Sequence, residues 1–228
     1  LASRNWKVAV VERSAGMYGG TCINIGCIPT KSLAYQAKLT DFKQINSLNE
    51  QKDYYESAIQ NKHQLITSLR QKNYDNLDNK DEITIYTGEA SFKSDHEVLV
   101  KNDSGSITLS AEKIFINTGA ETIIPNIKGL KESNFVYTST SIMELKQLPK
   151  RLAIIGGGYI GLEFASMYRG FGSEVTVLEG ASKLIPREDR DIAQLVKEAL
   201  ENKDISFHLN SKVQKIQDKG NETVISYT

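Results

Sequence analysis

The feature that most constrains the fold of this chain is a glycine-rich turn between a strand and a helix. Gly156, Gly158 and Gly161 follow the apolar run 151–155, and a helical pattern extends over 159–168. In such a turn the first glycine permits the tight bend, the second lets a phosphate approach the backbone at the helix N-terminus, and the third lets helix and strand pack closely. A second strand-like run follows, so the pattern predicts half of a dinucleotide-binding fold.

The residue that ends this second run indicates which dinucleotide binds. Glu179 lies eighteen residues after Gly161, where a carboxylate can accept hydrogen bonds from an adenosine ribose. The same carboxylate would repel a 2′-phosphate, which favours NADH over NADPH, although Arg187 further along could moderate this preference. A glycine-rich turn that holds no ligand is the alternative interpretation.

The beginning of the chain looks like a second copy of this unit. A strand-like run ends at Glu12, but no glycine-rich turn precedes it, and the chain begins at Leu1 without a methionine. We therefore expect truncation at both ends, with the first strand and its turn missing. Without further information, Glu12 is equally an exposed carboxylate at the end of a strand.

Between these two units the pattern changes twice. A helical stretch runs from about Ser32 to Tyr74, with an apolar stripe that contains Tyr55, Ile59, Ile66 and Leu69. Short β runs follow at 83–86, 97–100, 106–109 and 113–116, which predicts an inserted antiparallel meander. Pro149-Lys150 gives a boundary, so we expect one domain over 1–149 and another over 150–228.

The composition excludes several classes of partner and site. Lys+Arg and Asp+Glu both number 28, so no net charge attracts nucleic acid or anionic lipid. No run approaches the roughly 18 apolar residues that a membrane span needs, and nothing resembles a secretory signal, so the cytoplasm is the expected location. The histidines His63, His96 and His208 have no ligand spacing to the cysteines, so no metal site is expected.

Cys22 and Cys27 are the only two cysteines. Residues five apart on an ideal helix have Cα atoms about 8.6 Å apart, beyond the roughly 7 Å limit for a disulfide. A bond between them needs an irregular turn, which Gly26 between the cysteines and Pro29 just after them make possible. A thiol near a helix N-terminus also ionises more readily. The segment therefore suits a reversible dithiol better than an inert pair.

These residues carry a resemblance to a known family. The runs Gly19-Gly20-Thr21-Cys22 and Cys27-Ile28-Pro29-Thr30-Lys31 resemble the active-site signature of class I flavoprotein disulfide reductases, which include dihydrolipoamide dehydrogenase, glutathione reductase and mercuric reductase. The run 116–120 is similar to the family's second FAD-contacting turn, and 156–163 to its NAD(P) fingerprint. Details over 113–120 and 186–193 look most like the bacterial branch linked to reactive-chlorine resistance and hypothiocyanous acid reduction.

The resemblance implies an α/β fold with two Rossmann-like dinucleotide-binding domains and an inserted β-meander, the FAD-binding domain over 1–149 and the NAD(P)-binding domain over 150–228, both incomplete. It implies FAD and NADH as cofactors, with NADPH as an alternative. Cys27 would be the thiolate next to the flavin, Cys22 the thiol that attacks substrate, and Tyr159 an aromatic gate for nicotinamide. The implied catalytic residues are Cys22, Cys27, Lys31 and Glu163. The implied cofactor-binding residues are Glu12, Gly20, Thr21, Lys31, Ala90, Thr118, Gly119, Gly156, Gly158, Tyr159, Ile160, Gly161 and Glu179.

The chain departs from the family pattern at its ends. It contains neither the FAD pyrophosphate loop nor the dimerisation domain, whose His-Glu pair would serve the partner subunit of a homodimer. We therefore expect the fragment to bind FAD poorly and to be inactive, and the intact protein to reduce a small oxidant or disulfide. Dihydrolipoamide dehydrogenase or mercuric reductase activity, and a non-catalytic NAD-binding redox sensor, are the alternatives. A single-cysteine oxidase or peroxidase is disfavoured because two cysteines are present. Lys31, Glu163 and Tyr159 are also compatible with ordinary surface or packing roles.

Overall fold

The structure is a computed structural model that describes residues 1–43, 45 and 47–228. Within these residues the helices are α1 (Gly20–Asn24), α2 (Cys27–Phe42), α3 (Leu48–Asp78), α4 (Tyr159–Phe171) and α5 (Arg190–Glu201). The strands are β1 (Val8–Glu12), β2 (Ile83–Thr87), β3 (Glu89–Ser94), β4 (Glu97–Asn102), β5 (Gly105–Ser110), β6 (Arg151–Ile155), β7 (Glu174–Leu178), β8 (Ile205–His208), β9 (Val213–Lys219) and β10 (Glu222–Tyr227).

The chain folds into two compact units. The first consists of Leu1–Pro29 and His63–Glu121, and the second of Thr30–Lys62 and Thr122–Thr228. The division therefore passes through α2 and through α3. The domain limits predicted from the sequence, 1–149 and 150–228, follow the cofactor that each domain is expected to bind and not the compact units. They stay a prediction.

The first unit combines a parallel strand pair with an antiparallel meander. β1 pairs with β2 in parallel from Val8–Ile83 to Glu12–Thr87. β3, β4 and β5 pair in sequence and antiparallel. The tight turn between β4 and β5 is stabilised because Asn102 Oδ1 accepts a hydrogen bond from the Ser104 N–H at 3.0 Å. The predicted inserted meander is confirmed over these strands.

The prediction of a strand over 113–116 is wrong. This segment has no regular secondary structure, and Phe115 and Ile116 are 71% and 72% exposed. An extended run becomes a strand only when a neighbouring strand supplies hydrogen bonds to its backbone, and no strand in the described part of the chain pairs with it. The β-like composition of these residues was therefore insufficient evidence of a strand.

The predicted helical stretch from Ser32 to Tyr74 forms the two helices α2 and α3. Gln44 and Asn46, which the prediction included, lie outside the described residues. The predicted apolar stripe is confirmed at Tyr55, Ile59 and Ile66, each at most 4% exposed. Among the described residues, no helix carries an apolar stretch long enough to cross a membrane.

The second unit contains the dinucleotide-type half predicted from the glycine pattern. β6, β7 and β8 form a parallel sheet in that order, with α4 between the first two strands and α5 between the last two. The β-branched residues Val175 and Val177 of β7 are at most 1% exposed in the core, where Phe171 of α4 is also buried. The hairpin β9–β10 completes the unit. The predicted order of strand, turn, helix and strand is confirmed.

Two buried tyrosines link the helices of this core. The hydroxyl of Tyr168 on α4 donates to the carbonyl oxygen of Ile142 at 2.8 Å and lies 3.0 Å from the hydroxyl of Tyr55 on α3. The Tyr55 hydroxyl also donates to the carbonyl oxygen of Leu145 at 2.9 Å. Burial is the main cause that raises the pKa of both phenols above the ordinary value near 10.

We expect Tyr168→Phe to lower the free energy of unfolding at pH 7 by about 1–2 kcal/mol, because it removes buried hydrogen bonds. Above pH about 10 the unfolded wild type releases phenol protons that the folded state retains, so its stability falls as pH rises. That fall should be shallower in the variant. Urea unfolding of the full-length protein across this pH range measures both effects, and Tyr35→Phe, at an exposed position, is the matched control. Parallel alkaline losses in wild type and Tyr168→Phe would contradict the prediction.

Candidate active site

The two cysteines flank an interruption between two helices. Cys22 lies in α1, and Cys27 is the first residue of α2. Gly26 lies in the break, where an added Cβ would be 3.0 Å from the Thr21 carbonyl oxygen and 3.4 Å from the Cys22 Cα. The chain therefore passes closer to itself here than a larger residue would comfortably allow. The irregular turn predicted from the five-residue spacing is confirmed.

The two thiols interact directly. Both cysteines are free thiols and exposed. A hydrogen bond with the Cys27 side chain is the main cause that raises the pKa of the Cys22 thiol, and desolvation and the charge of Cys27 add to it. The backbone N–H groups of Cys27 and Ile28, at the N-terminus of α2, hydrogen-bond the Cys22 sulfur and act in the opposite direction. Cys27 and the start of α2 therefore both act on the Cys22 thiol.

Asn24 and Arg70 hold the segment that carries Cys22. The amide nitrogen of Asn24 donates to the carbonyl oxygens of Tyr18 at 3.0 Å and Gly20 at 2.8 Å. Its oxygen accepts from Arg70 Nε at 2.8 Å, and Asn24 itself is 7% exposed. Neither residue was predicted from the sequence. The position of Asn24 between the cysteines was the available signal, whereas Arg70 is 46 residues away and gave none.

The residues expected to contact FAD from the signature and from the 116–120 turn approach each other in the first unit. Gly119 has a left-handed backbone, with φ 78°, and a Cβ there would be 3.6 Å from Thr21 Oγ1. Gly20 has φ 73° and no atom within 4 Å of an added Cβ. Thr118 is exposed beside Gly119. The structure thus brings these two motifs together around open space.

Glu12 and Ala90 lie on neighbouring parts of the same unit. Glu12 ends β1, and its carboxylate accepts the Ser14 N–H at 2.9 Å. The Glu12 carbonyl oxygen accepts the Gly88 N–H at 2.9 Å, and Ala90 follows two residues later on β3, where it is exposed. The Glu12 carboxylate is thus placed at the carboxyl end of a parallel strand, where dinucleotide riboses bind in folds of this kind.

The glycine-rich turn of the second unit has the geometry that the sequence predicts. Gly156 has φ 111°, and Gly158 is the N-cap of α4. An added Cβ at Gly161 would be 2.2 Å from the Gly156 carbonyl oxygen, so only glycine permits this packing. An added Cβ at Gly158 would have no atom within 4 Å. The space above Gly158 is therefore available to a ligand rather than filled by the protein.

Glu179 lies against this turn. Its carboxylate accepts the N–H of Gly157 at 2.6 Å and that of Ala181 at 2.7 Å. Tyr159 and Ile160, the first two residues of α4, are 60% and 62% exposed beside the turn. The Tyr159 hydroxyl donates to the Glu188 carboxylate, and this hydrogen bond is the main cause that raises the pKa of Tyr159. The sequence analysis assigned no role to Glu188.

Lys31 and Glu163 form an ion pair in the second unit. Lys31 Nζ, on α2, contacts Glu163 Oε1, on α4, and the two side chains are 71% and 32% exposed. The pairing expected from the resemblance is thus present. Exposed pairs of this kind contribute little to stability, about 0–1 kcal/mol. The main effect of the ion pair is therefore to position the Lys31 ammonium group rather than to stabilise the fold. In the described part of the chain, no cluster of three or more His, Cys, Asp or Glu residues could hold a metal ion.

Comparison with known proteins places the chain in a family. The profile of the pyridine nucleotide-disulphide oxidoreductase family matches residues 1–228. The chain belongs to this family, and the dithiol segment and the glycine-rich turn lie within the match. The α/β architecture is that of the FAD/NAD(P)-binding disulfide reductases.

Several relatives are similar along nearly the whole chain. The probable pyridine nucleotide-disulfide oxidoreductase RclA of Escherichia coli K12 is 45% identical over 226 residues, which cover 99% of this chain and 48% of RclA. Dihydrolipoyl dehydrogenase of Bacillus subtilis is 34% identical over 223 residues, 94% of this chain and 48% of that protein. Mercuric reductase of Bacillus cereus is 33% identical over 221 residues, 95% of this chain and 34% of that protein. The chain thus spans half or less of the length of these relatives.

A solved structure supports the same relationship. The Cu(II) complex of the HOCl-induced flavoprotein disulfide reductase RclA from Escherichia coli superposes with a TM-score of 0.90 at 44% identity, over 99% of this chain and 48% of that one. The structure of the same reductase described without copper gives a TM-score of 0.88 at 43% identity.

Proposed function

We propose that the protein carrying this chain is a flavoprotein disulfide reductase, which transfers electrons from NADH to the Cys22–Cys27 pair and then to a small oxidised-sulfur or oxidant substrate. The observation that carries the proposal is the helix break between α1 and α2, which places two exposed cysteines on either side of a close approach of the chain at Gly26. Thiolates are the reacting form of cysteine, and an exposed pair at an irregular turn is suited to exchange between dithiol and disulfide.

The proposed reaction consists of two half-reactions, reduction of the disulfide by NADH and reoxidation of the dithiol by the substrate. NADH and one proton reduce the Cys22–Cys27 disulfide to two thiols and leave NAD⁺. Cys22 then attacks the substrate sulfur as a thiolate and expels its leaving group, and Cys27 attacks Cys22 to restore the disulfide. With hypothiocyanous acid the leaving group is hydroxide, which departs as water, and thiocyanate is released when the disulfide forms. The sum is NADH plus HOSCN giving NAD⁺, SCN⁻ and water.

The residues of the first unit fit an FAD cofactor. Gly20 and Gly119 leave open space beside Thr21, with Thr118 exposed next to it, and Glu12 offers a carboxylate to a ribose at the end of β1. When bound, FAD would accept hydride from NADH and supply an electron pair to the disulfide. Ala90 would contribute backbone contact from β3. We assign residues 1–149 to this domain.

The residues of the second unit fit NADH. The open space at Gly158 is where a pyrophosphate would meet the N-terminus of α4, and Gly156 and Gly161 shape the turn beneath it. Glu179 would accept the adenosine ribose hydroxyls and disfavour a 2′-phosphate. Tyr159 and Ile160 would border the bound pyrophosphate. We assign residues 150–228 to this domain.

The Lys31–Glu163 ion pair would position a charged group for the reaction. Glu163 pairs with the Lys31 ammonium group, and by resemblance this pair would supply a positive charge to the reaction. Cys27, as the first residue of α2, would be the sulfur next to the flavin, and Cys22 the one that meets substrate. By resemblance, the full-length protein would be a cytoplasmic homodimer in which a His-Glu pair of the partner subunit handles the proton of Cys22.

The choice of substrate rests on the relatives. The similar Escherichia coli protein is described as HOCl-induced and is solved with Cu(II), and other relatives are mercuric reductases and dihydrolipoyl dehydrogenases. We propose hypothiocyanous acid or a reactive chlorine species as the oxidant. Turnover should be compared for hypothiocyanite, dihydrolipoamide, glutathione disulfide, Hg²⁺ and Cu²⁺ under the same conditions. The proposed oxidant should give the highest kcat/KM.

An anaerobic titration of the full-length protein tests the proposal as a whole. One equivalent of NADH should expose two additional titratable thiols and produce the long-wavelength absorbance of a thiolate beside a flavin. NADPH should do the same only at higher concentration. A protein that binds NADH without flavin, or that shows no new thiols on reduction, would instead be a nucleotide-binding redox sensor.

A further inference from the structure

One side of α3 contacts the segment that carries Cys22. Arg70, Asn73 and Tyr74 are spaced three and four residues apart near the end of this helix, so they lie on one face. Each of them meets a residue of the segment 18–24, which leads into α1 and forms it. The contact face of α3, as we call these three residues, therefore reaches from the approach to α1 to its last residue.

Two of the three contacts hold the approach to α1. The Tyr74 ring packs edge-on against the Tyr18 ring, with centroids 4.9 Å apart. At the next residue, an added Cβ on Gly19 would be 3.3 Å from Asn73 Cγ, so the backbone passes directly over this side chain. The Tyr18 hydroxyl also lies 2.6 Å from Thr87 Oγ1, at the end of β2. The chain therefore enters α1 from a point that is fixed on two sides.

The third contact holds α1 itself. Arg70 Nε donates to Asn24 Oδ1 at 2.8 Å, which leaves the Asn24 amide nitrogen to donate to the carbonyl oxygens of Tyr18 and Gly20 at 3.0 and 2.8 Å. If the Asn24 amide rotated by half a turn, its nitrogen would face the Arg70 donor and all three bonds would be lost. Arg70 thus fixes the orientation of the side chain that closes α1, and Cys22 lies inside the closed segment.

The position of Cys22 depends on this support. A helix of five residues, such as α1, is not stable in water by itself. Both cysteines are exposed, so the backbone, rather than packing around the sulfurs, sets where the thiols lie. A disulfide forms only when the two Cα atoms are within roughly 7 Å of each other. If α1 became looser, less of the reduced protein would have Cys22 in place to bond Cys27.

We propose that Arg70, acting through Asn24, is a positioning residue that shifts the equilibrium of the Cys22–Cys27 pair toward the disulfide. The inference rests on the proposed function, since it needs this pair to be redox-active. When the pair is oxidised, the S–S bond forms, and two electrons and two protons pass to the oxidant. Fixing α1 raises the effective concentration of one sulfur at the other, which favours the bonded form.

The test is the redox equilibrium of Arg70→Met in the full-length holoprotein. The protein is equilibrated without oxygen in mixtures of reduced and oxidised dithiothreitol, whose own disulfide accepts the two electrons and two protons, and protein thiols are then counted. The equilibrium constant for forming the protein disulfide should fall about 3- to 10-fold, as expected when one hydrogen bond is lost. A tenfold fall corresponds to a reduction potential about 30 mV more positive.

A control and a double variant separate positioning from charge and from stability. Lys72→Met removes the same charge from an exposed position of α3 and should match wild type. Asn24→Ala should shift the equilibrium in the same direction as Arg70→Met, and the double variant should shift it no further than Asn24→Ala does, because Arg70 acts through Asn24. Additive shifts would mean that the Arg70 charge acts on the thiols directly, and would overturn the positioning role.

The same titration distinguishes failure of this inference from failure of the proposed function. If Arg70→Met lowers the melting temperature but leaves the dithiothreitol midpoint of wild type unchanged, Arg70 is only a structural contact and the inference is wrong, while the dithiol assignment stands. If wild type itself gains no pair of thiols at any dithiothreitol ratio, the proposed function is wrong and the inference with it.

Discussion

Replacing Cys27 with serine should abolish disulfide reduction by the full-length protein, with a loss in kcat of roughly 10³-fold or more, as expected when a covalent participant is removed. Cys22→Ser should have a loss of the same size, because neither sulfur can complete the exchange alone. Both side chains are exposed, so neither substitution disturbs a packed core. NADH-dependent turnover with the preferred oxidant is the measurement.

Thiol titration provides the control for this pair. Each variant should show the same number of thiols before and after NADH, whereas NADH should expose two additional thiols in wild type. Flavin content and melting temperature should match wild type in both variants. A Cys27→Ser variant that retained full disulfide reductase activity would contradict the assignment of the dithiol.

The second large effect is expected at the glycine-rich turn, where two glycines should respond differently to the same added methyl group. Gly161→Ala places a Cβ 2.2 Å from the Gly156 carbonyl oxygen and 3.3 Å from Ile154 Cγ2, so helix and turn must separate. We expect a loss of about 1–3 kcal/mol in the free energy of unfolding, as for other overpacked sites. Thermal unfolding of the full-length variant measures it.

Gly158→Ala is the matched comparison. Gly158 has φ −82°, which alanine adopts readily, and open space around its Cβ position, so the variant should fold as stably as wild type. Its methyl group would occupy the space proposed for the pyrophosphate, and NADH should bind about 10- to 100-fold more weakly as hydrogen bonds to the phosphates are lost. Unaltered NADH affinity in Gly158→Ala would contradict the proposed cradle.

Local sequence patterns predicted much of the structure because they reflect steric and hydrogen-bonding constraints between neighbouring residues. The spacing of Gly156, Gly158 and Gly161 reflects backbone constraints within one turn, and the structure confirms them. The impossibility of a disulfide on a regular helix predicted the break at Gly26. The run 113–116 is an exception, because its residues favour a strand but a strand also needs a partner strand.

Contacts between distant segments were beyond the sequence patterns. Lys31 and Glu163 are 132 residues apart, and their pairing was expected from family resemblance rather than from spacing. Arg70 meets Asn24, and Glu188 meets Tyr159, across separations that carry no periodic signal. Each of these contacts depends on where a whole helix or loop comes to lie.

The sequence by itself determined the local elements of this protein: two cysteines at a helix break, a glycine-rich turn between strand and helix, and a carboxylate at the end of the next strand. Only the tertiary structure decided that Cys27 raises the pKa of the Cys22 thiol, that Glu179 and Ile185 bind the turn, and that Glu188 accepts a hydrogen bond from Tyr159. The physical reason is the separation along the chain of the residues that interact. Backbone sterics and hydrogen bonding within a turn are written in adjacent residues, whereas side-chain contacts between elements follow from how the whole chain packs.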